Sequence, residues 1–276
     1  MLLKARAIGL GLLVLLVAGA IASAVASAEP GPFWNHRQNP GEGNGLKVSL
    51  QSPESFYGTN GQQPVQIRGM IGTTPFILQA AGVKLTGTIW NNGMQGQIKL
   101  RMKFTPFALI EPKVPGCQPE VSAQPGARNL IYFDGHLAWK WNGEVKQLVE
   151  QPQLNQVPDI YFVPPGTQIQ QDAKEGPKEG TVAEIKFAPA GSCSVLAGEV
   201  PLTGDMTGHL LQPENVNQWS NIFRFATPEG TQLQHIWNGK EFVGGTVGLF
   251  IAGNPASLIG EYIIETIRQE IAIFEK

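Results

Sequence analysis

The chain has 276 residues and a formal net charge of −2, with 33 glycines, 21 prolines, two cysteines and only 15% charged residues. A slightly acidic chain with no basic stripe argues against nucleic acid and anionic membrane as partners. Low charge with abundant Gly and Pro predicts many tight turns between short strands, on a length sufficient for one large β domain or two small ones.

Residues 1–28 carry the marks of a secretory signal peptide. Lys4 and Arg6 give a positive start, an apolar run covers 7–22, and Ala26-Ser27-Ala28 places small residues ahead of Glu29-Pro30. Cleavage there predicts a mature chain beginning at Glu29 and working outside the cytoplasm, secreted or in the cell envelope, without membrane insertion. The alternative is an uncleaved anchor, because the apolar stretch approaches the length needed to cross about 30 Å of hydrocarbon.

Residues 29–46 read as an N-terminal arm, since 33–45 is rich in Gly, Asn and Pro and has no periodicity. A single β-rich domain is expected over 47–276, with early strands over 47–50 and 65–70. Val83, Leu85 and Ile89 alternate with Lys84, Thr86 and Thr88. Ile98, Leu100, Met102 and Phe104 alternate with Gln97, Lys99, Arg101 and Lys103. Period two of this kind predicts paired strands with one dry and one wet face. Their connector, Trp90-Asn91-Asn92-Gly93, has the residues that tolerate positive φ in a hairpin turn.

The same corner recurs. Trp141-Asn142-Gly143 separates 137–141 from 145–149, and Trp237-Asn238-Gly239 separates 233–237 from 241–243. Further strands are expected over 131–133, 160–163, 182–187, 222–226 and 247–251, with a polar surface loop over 164–180. The end of the chain predicts two strands, 261–267 and 271–274. A helix is the alternative, because Ile259, Ile263, Ile264, Ile267 and Ile271 also fall at helical spacing. The expected fold class is all-β: an antiparallel β-sandwich or open β-barrel with Asn-Gly hairpins.

Cys117 and Cys193 both sit in turn-like surroundings. As the only two cysteines of an exported chain they are expected to form one disulfide. A redox pair or metal site would need a close Cys-x-x-Cys or a neighbouring His, and neither is present.

Signatures of catalysis are missing from the sequence. It has no Gly-x-Ser-x-Gly elbow, His-Glu-x-x-His, phosphate loop or dinucleotide fingerprint. His36, His136, His209 and His235 do not stand at metal-ligand spacing, so no catalytic residue, metal site or cofactor is expected. Asp134-Gly135-His136 has the composition of an oriented general base. Its simpler reading is a turn before the 137 strand with a surface histidine. Glu144, Glu150, Asp159 and Asp205 are isolated acids. The six tryptophans carry more interest. Trp139 and Trp141 share a strand face and read as core. Trp90 and Trp237, at turn edges, are the candidate ligand-binding residues, because an exposed indole is a platform for sugar rings or flat apolar molecules.

The segment Gly135-His136-Leu137-Ala138-Trp139-Lys140-Trp141-Asn142-Gly143 resembles one found in uncharacterised secreted bacterial proteins. Trp237-Asn238-Gly239 followed by Gly248-Leu249 and Gly253-Asn254-Pro255-Ala256 does so too, as does Pro115-Gly116-Cys117. The resemblance spans most of the mature chain. It implies one secreted, bacterial, β-rich unit and carries no activity with it. The expected function is therefore an exported or envelope-associated, non-enzymatic binding protein, its ligand a glycan, another envelope component or an apolar small molecule. The alternatives are an extracellular hydrolase acting on a cell-wall or environmental polymer, and a structural surface protein.

Overall fold

Turn-formers at short intervals leave room only for strands, and no α-helix occurs among the described residues. The computed structural model describes residues 33–37, 47–92, 95–123, 126–141, 157–165, 180–187, 193, 196, 198–210, 220–225, 232–237, 242–267 and 271–274. The expected leader, residues 1–28, lies outside them, as do the strand expected over 145–149 and most of the 164–180 loop.

After β1 (Phe33–Arg37) and β2 (Lys47–Ser49), strands follow in consecutive couples. These are β3 (Glu54–Asn60) with β4 (Val65–Ile71), β5 (Thr74–Ala80) with β6 (Val83–Asn91), and β7 (Gly96–Phe104) with β8 (Phe107–Glu111). Next come β9 (Glu120–Ser122) with β10 (Leu130–Trp141), β11 (Val157–Val163) with β12 (Thr181–Phe187), and β13 (Gly198–Gly204) with β14 (Met206–Leu210). Then β15 (Ser220–Phe225) is followed by an inserted hairpin, β16 (Gln232–Trp237) and β17 (Phe242–Val247), before its continuation β18 (Leu249–Ile251). The last couple is β19 (Asn254–Ile259) with β20 (Glu261–Thr266), and β21 (Ile271–Phe274) ends the series.

The couples build two rings. In the first, β3-β6-β7-β10-β11-β14-β15-β20 pair in that order and β20 returns to β3, every pair antiparallel. In the second, β9-β12-β13-β18-β19-β4-β5-β8 pair in that order, again antiparallel. The second ring lacks a ladder between β8 and β9, where Leu109 N donates to Cys117 O at 3.4 Å. Each ring takes its strands in chain order. The whole is thus an up-and-down meander of eight long strands, each interrupted once at a waist between the rings. This is the barrel alternative of the expected antiparallel all-β class.

Inward residues alternate with outward ones, as period two requires. Phe56, Leu85, Leu100, Phe133, Phe162 and Tyr262 fill the first ring, and Ile67, Phe76, Leu78, Ile185, Phe187 and Leu202 the second; all are buried in one continuous cluster. From Ile98 onward the β7 stripe is as predicted: Ile98, Leu100, Met102 and Phe104 are buried, Lys99, Arg101 and Lys103 exposed. Gln97, expected on the wet face, is buried on the outer wall, where its carbonyl accepts from the Trp34 indole. Glycine permits the tight curl. A Cβ on Gly87 would lie 2.2 Å from both the Lys99 carbonyl oxygen and Phe56 Cζ, so the Phe56 ring occupies the place of the missing side chain.

Phe33–Arg37, expected as part of an arm, is a strand. It pairs with β2 on one side and β21 on the other. Trp34 is the reason: its side chain is fully buried, and its indole N–H donates to Gln97 O at 2.9 Å. Asn91, from the first Asn-Gly corner, accepts from Trp34 N at 3.0 Å and donates to Trp34 O at 2.8 Å. The C-terminal segment forms the two strands β20 and β21, not a helix. The strand expected over 247–251 is broken at Gly248, whose N–H turns to the Asp205 carboxylate. Cys117, between β8 and β9, is bonded to Cys193, between β12 and β13, with the Cα atoms 4.9 Å apart. The bond ties two loops across the end of the second ring.

Candidate functional site

The described interior is packed mainly by apolar side chains, and the exposed polar and charged groups gather on the outer wall. There the register of β6, β7 and β10 aligns outward residues in rows. Thr86, Arg101 and Tyr132 form one row, and Thr88, Lys99 and Asp134 the next. Towards the waist Lys84 stands beside Lys103; at the other end Trp90, Gln97 and His136 are aligned. Over the two middle rows lies an open depression of about 640 Å³. Its floor includes the backbone at Gly87, and its walls include Ala123 and Pro165. Those two follow β9 and β11, where the long strands are interrupted at the waist.

The electrostatics of the depression are distinctive for a chain of net charge −2. Lys99 and Arg101 are exposed, and neither is ion-paired to a carboxylate among the described residues. Arg101 Cζ stands 6.0 Å from the centre of the Tyr132 ring. At an exposed site such a cation–π contact is worth about 0.5–1 kcal/mol, enough to bias the guanidinium towards the ring. Tyr57 of β3, 49% exposed, extends the Thr86–Arg101–Tyr132 row on the far side. Lys103 Nζ donates to the Arg128 carbonyl, while Arg128 pairs with Glu120 at 3.2 Å. The arrangement offers cations, hydroxyls, one carboxylate and an aromatic face: equipment for recognising a polar, hydroxylated ligand.

Trp90 is half-buried on this same outer face, one row beyond the depression, and does not line it. Trp237 ends β16 opposite Phe242, and its side chain lies outside the described part of the structure. Asp134-Gly135-His136 is not a turn. It lies inside β10, where an extended chain places Asp134 and His136 on the same face with different fates. Asp134 is half-buried at the depression, whereas His136 is buried rather than at the surface.

The His136 ring meets Tyr161 edge-on, with centroids 5.4 Å apart and planes at 83°. Its Nδ1 has no hydrogen-bond partner among the described residues. Burial lowers its pKa to about 3, so the imidazole is neutral. A neutral, enclosed histidine that does not bond Asp134 is not an oriented base. Asp205, an isolated acid in the sequence, proves to be a brace at the waist. It accepts from the Tyr161 hydroxyl, and its Oδ1 accepts from Gly248 N at 3.0 Å. Burial first, then the Asp205 charge and hydrogen bond, raise the Tyr161 pKa far above that of a free phenol. The inserted β16–β17 hairpin ends beside this brace, and β16 pairs with β10 at Lys140 and Trp141.

Lys99, Arg101, Thr86 and Thr88 were visible in the sequence as the wet faces of two strands. Tyr132 and Asp134 join them only through the β7–β10 register, which links segments some thirty residues apart. No protein-family model, no curated protein and no solved structure matches the chain.

Proposed function

We propose that this is an exported, envelope-associated binding protein without catalytic activity, and that its ligand sits in the depression on the outer face of β6, β7 and β10. The observation that carries the reading is the pair of exposed cations, Lys99 and Arg101, which have no ion-pair partner among the described residues and are flanked by Tyr132 and two threonines in one concave surface. Among the described residues lining it, Asp134 is the single carboxylate, whereas glycoside hydrolysis ordinarily uses two. Export is supported by the leader-like residues 1–28 and by the Cys117–Cys193 bond. A soluble rather than inserted barrel is supported by the distribution of charge. Apolar side chains make up most of the described interior, with Glu54 and Asp205 buried among them, and most charged ones stand on the described outer wall, the reverse of a membrane barrel.

Trp90, one row away, makes intrinsic fluorescence a suitable probe. A panel of neutral and acidic oligosaccharides should include members that change the emission. Trp90→Phe should diminish that change, and Tyr132→Ala should weaken the binding itself. The effect of Trp237→Phe tests the second nominated tryptophan in the same assay. A Tyr132→Ala variant that binds every responding sugar as the parent does would refute the site.

A further inference from the structure

Resting on that binding reading, we propose that the ligand is an acidic glycan, a sugar chain bearing carboxylates, laid along β7 with Lys99 and Arg101 as the residues that set specificity.

Three features lead there. The first is the charge pattern. Lys99, Arg101 and Lys103 project from one face of β7 at alternate positions, so their backbone origins repeat every ~6.8 Å. Lys84 stands beside Lys103 on β6. Four like charges on two adjacent strands repel one another, and an anion laid along them relieves that repulsion. The chain as a whole is net negative, so the cluster is a local inversion of the protein's own field.

The second feature is what accompanies the cations. Asp134 stands opposite Lys99, and Thr86 and Thr88 stand opposite Arg101 and Lys99 on the other side. A carboxylate in the lining repels a densely charged phosphate chain but accepts hydrogen bonds from sugar hydroxyls. A polymer with one charge per sugar ring satisfies both demands: its carboxylates meet Lys99 and Arg101, and its hydroxyls meet Asp134 and the threonines.

The third feature is Tyr132. Its ring lines the depression with Arg101 near it. A tyrosine there offers the apolar face of a sugar ring a surface to pack on, with a hydroxyl at its tip. The depression, about 640 Å³, is within the range of ligand sites, roughly 300–1,000 Å³. It is open rather than enclosed, as a segment within a longer chain requires.

The test is calorimetric titration of the mature protein with four probes: oligogalacturonate, a malto-oligosaccharide of equal length, inorganic polyphosphate and duplex DNA. Oligogalacturonate should bind, and its affinity should fall as salt is raised. The double variant Lys99→Gln/Arg101→Gln should weaken it at least tenfold while melting at the parent temperature, because both side chains are exposed. Lys186→Gln, removing a half-exposed cation on β12 that pairs with Glu199 at 2.8 Å, should leave it unchanged. Equal binding of the malto-oligosaccharide, retained by the double variant but lost with Tyr132→Ala, would overturn the acidic-glycan assignment and leave the site intact. Preference for polyphosphate or DNA would overturn the glycan assignment. Binding of oligogalacturonate that survives both the double variant and Tyr132→Ala would overturn the site itself. Failure of all four probes to bind would overturn both readings.

Discussion

Replacing His136 by Phe should flatten the acid limb of the stability profile. His136 is enclosed, its Nδ1 has no partner among the described residues, and burial holds its pKa at about 3, against 6.5 for a free imidazole. Between those values the unfolded chain binds a proton that the folded chain refuses. Stability therefore falls as pH is lowered through about 6.5 and goes on falling towards 3. At full slope one differential proton is worth about 1.4 kcal/mol per pH unit, so lowering the pH from 7 to 4 should cost about 3 kcal/mol from this residue alone. Phe keeps the edge-on contact with Tyr161 and does not titrate. Urea unfolding followed by circular dichroism at half-unit pH intervals gives the free energy for parent and variant. Carboxylates and the other histidines contribute to both curves, so the difference isolates His136. The two should converge or cross in acid, the variant losing about 3 kcal/mol less across the range. Parallel profiles would show that His136 is accessible to protons in the folded protein, and the reasoning from its burial would fail.

Four further outcomes are expected. Leu100→Ala, which removes a side chain 4% exposed in the first ring, should cost about 2–5 kcal/mol, read as a fall in urea midpoint at unchanged slope. Lys99→Ala, its exposed neighbour, should change stability by less than about 0.5 kcal/mol, and equal effects would contradict the inward–outward alternation. Reduction of Cys117–Cys193 should destabilise the fold by about 4–5 kcal/mol, because the bond closes a loop of 76 residues; an unchanged melting temperature in reductant would argue against this. Mass measurement of protein recovered from culture supernatant or cell envelope should give Glu29 as its first residue, and a species that keeps Met1 in the membrane fraction would revive the anchor alternative.

The strands that could be read from the sequence are those whose inner residues are large and apolar. β7 alternates strictly from Ile98 to Phe104, and β12 places Ala183, Ile185 and Phe187 inward, so period two identifies both. The strands that escaped notice break that pattern for specific reasons. β3 sends Glu54, Phe56 and Gly58 inward, only one of them a large apolar residue. β5, β13 and β19 contain Pro75, Pro201 and Pro255, which argue against a strand on composition; here all three are exposed. β1 has a single strong determinant, Trp34, whose partners lie some sixty residues away at Asn91 and Gln97. The site was half legible for the same reason. Alternation exposed the lysines and arginine of β7, but only the long-range register with β10 adds Tyr132 and Asp134. Asp134-Gly135-His136 was misread because Asp-Gly commonly makes a turn. Here Gly135 serves a close approach instead, a Cβ there falling 2.8 Å from the Tyr161 carbonyl.

Where the ligand touches the protein can be mapped residue by residue. Isotope-labelled mature protein titrated with oligogalacturonate, followed through backbone amide shifts, reports every strand at once. The largest changes should fall on 86–90 of β6, 99–101 of β7 and 132–134 of β10, with β4, β5, β12 and β13 unmoved. Changes centred on the second ring or on the β16–β17 hairpin, with the β6–β7–β10 face silent, would contradict the proposed site.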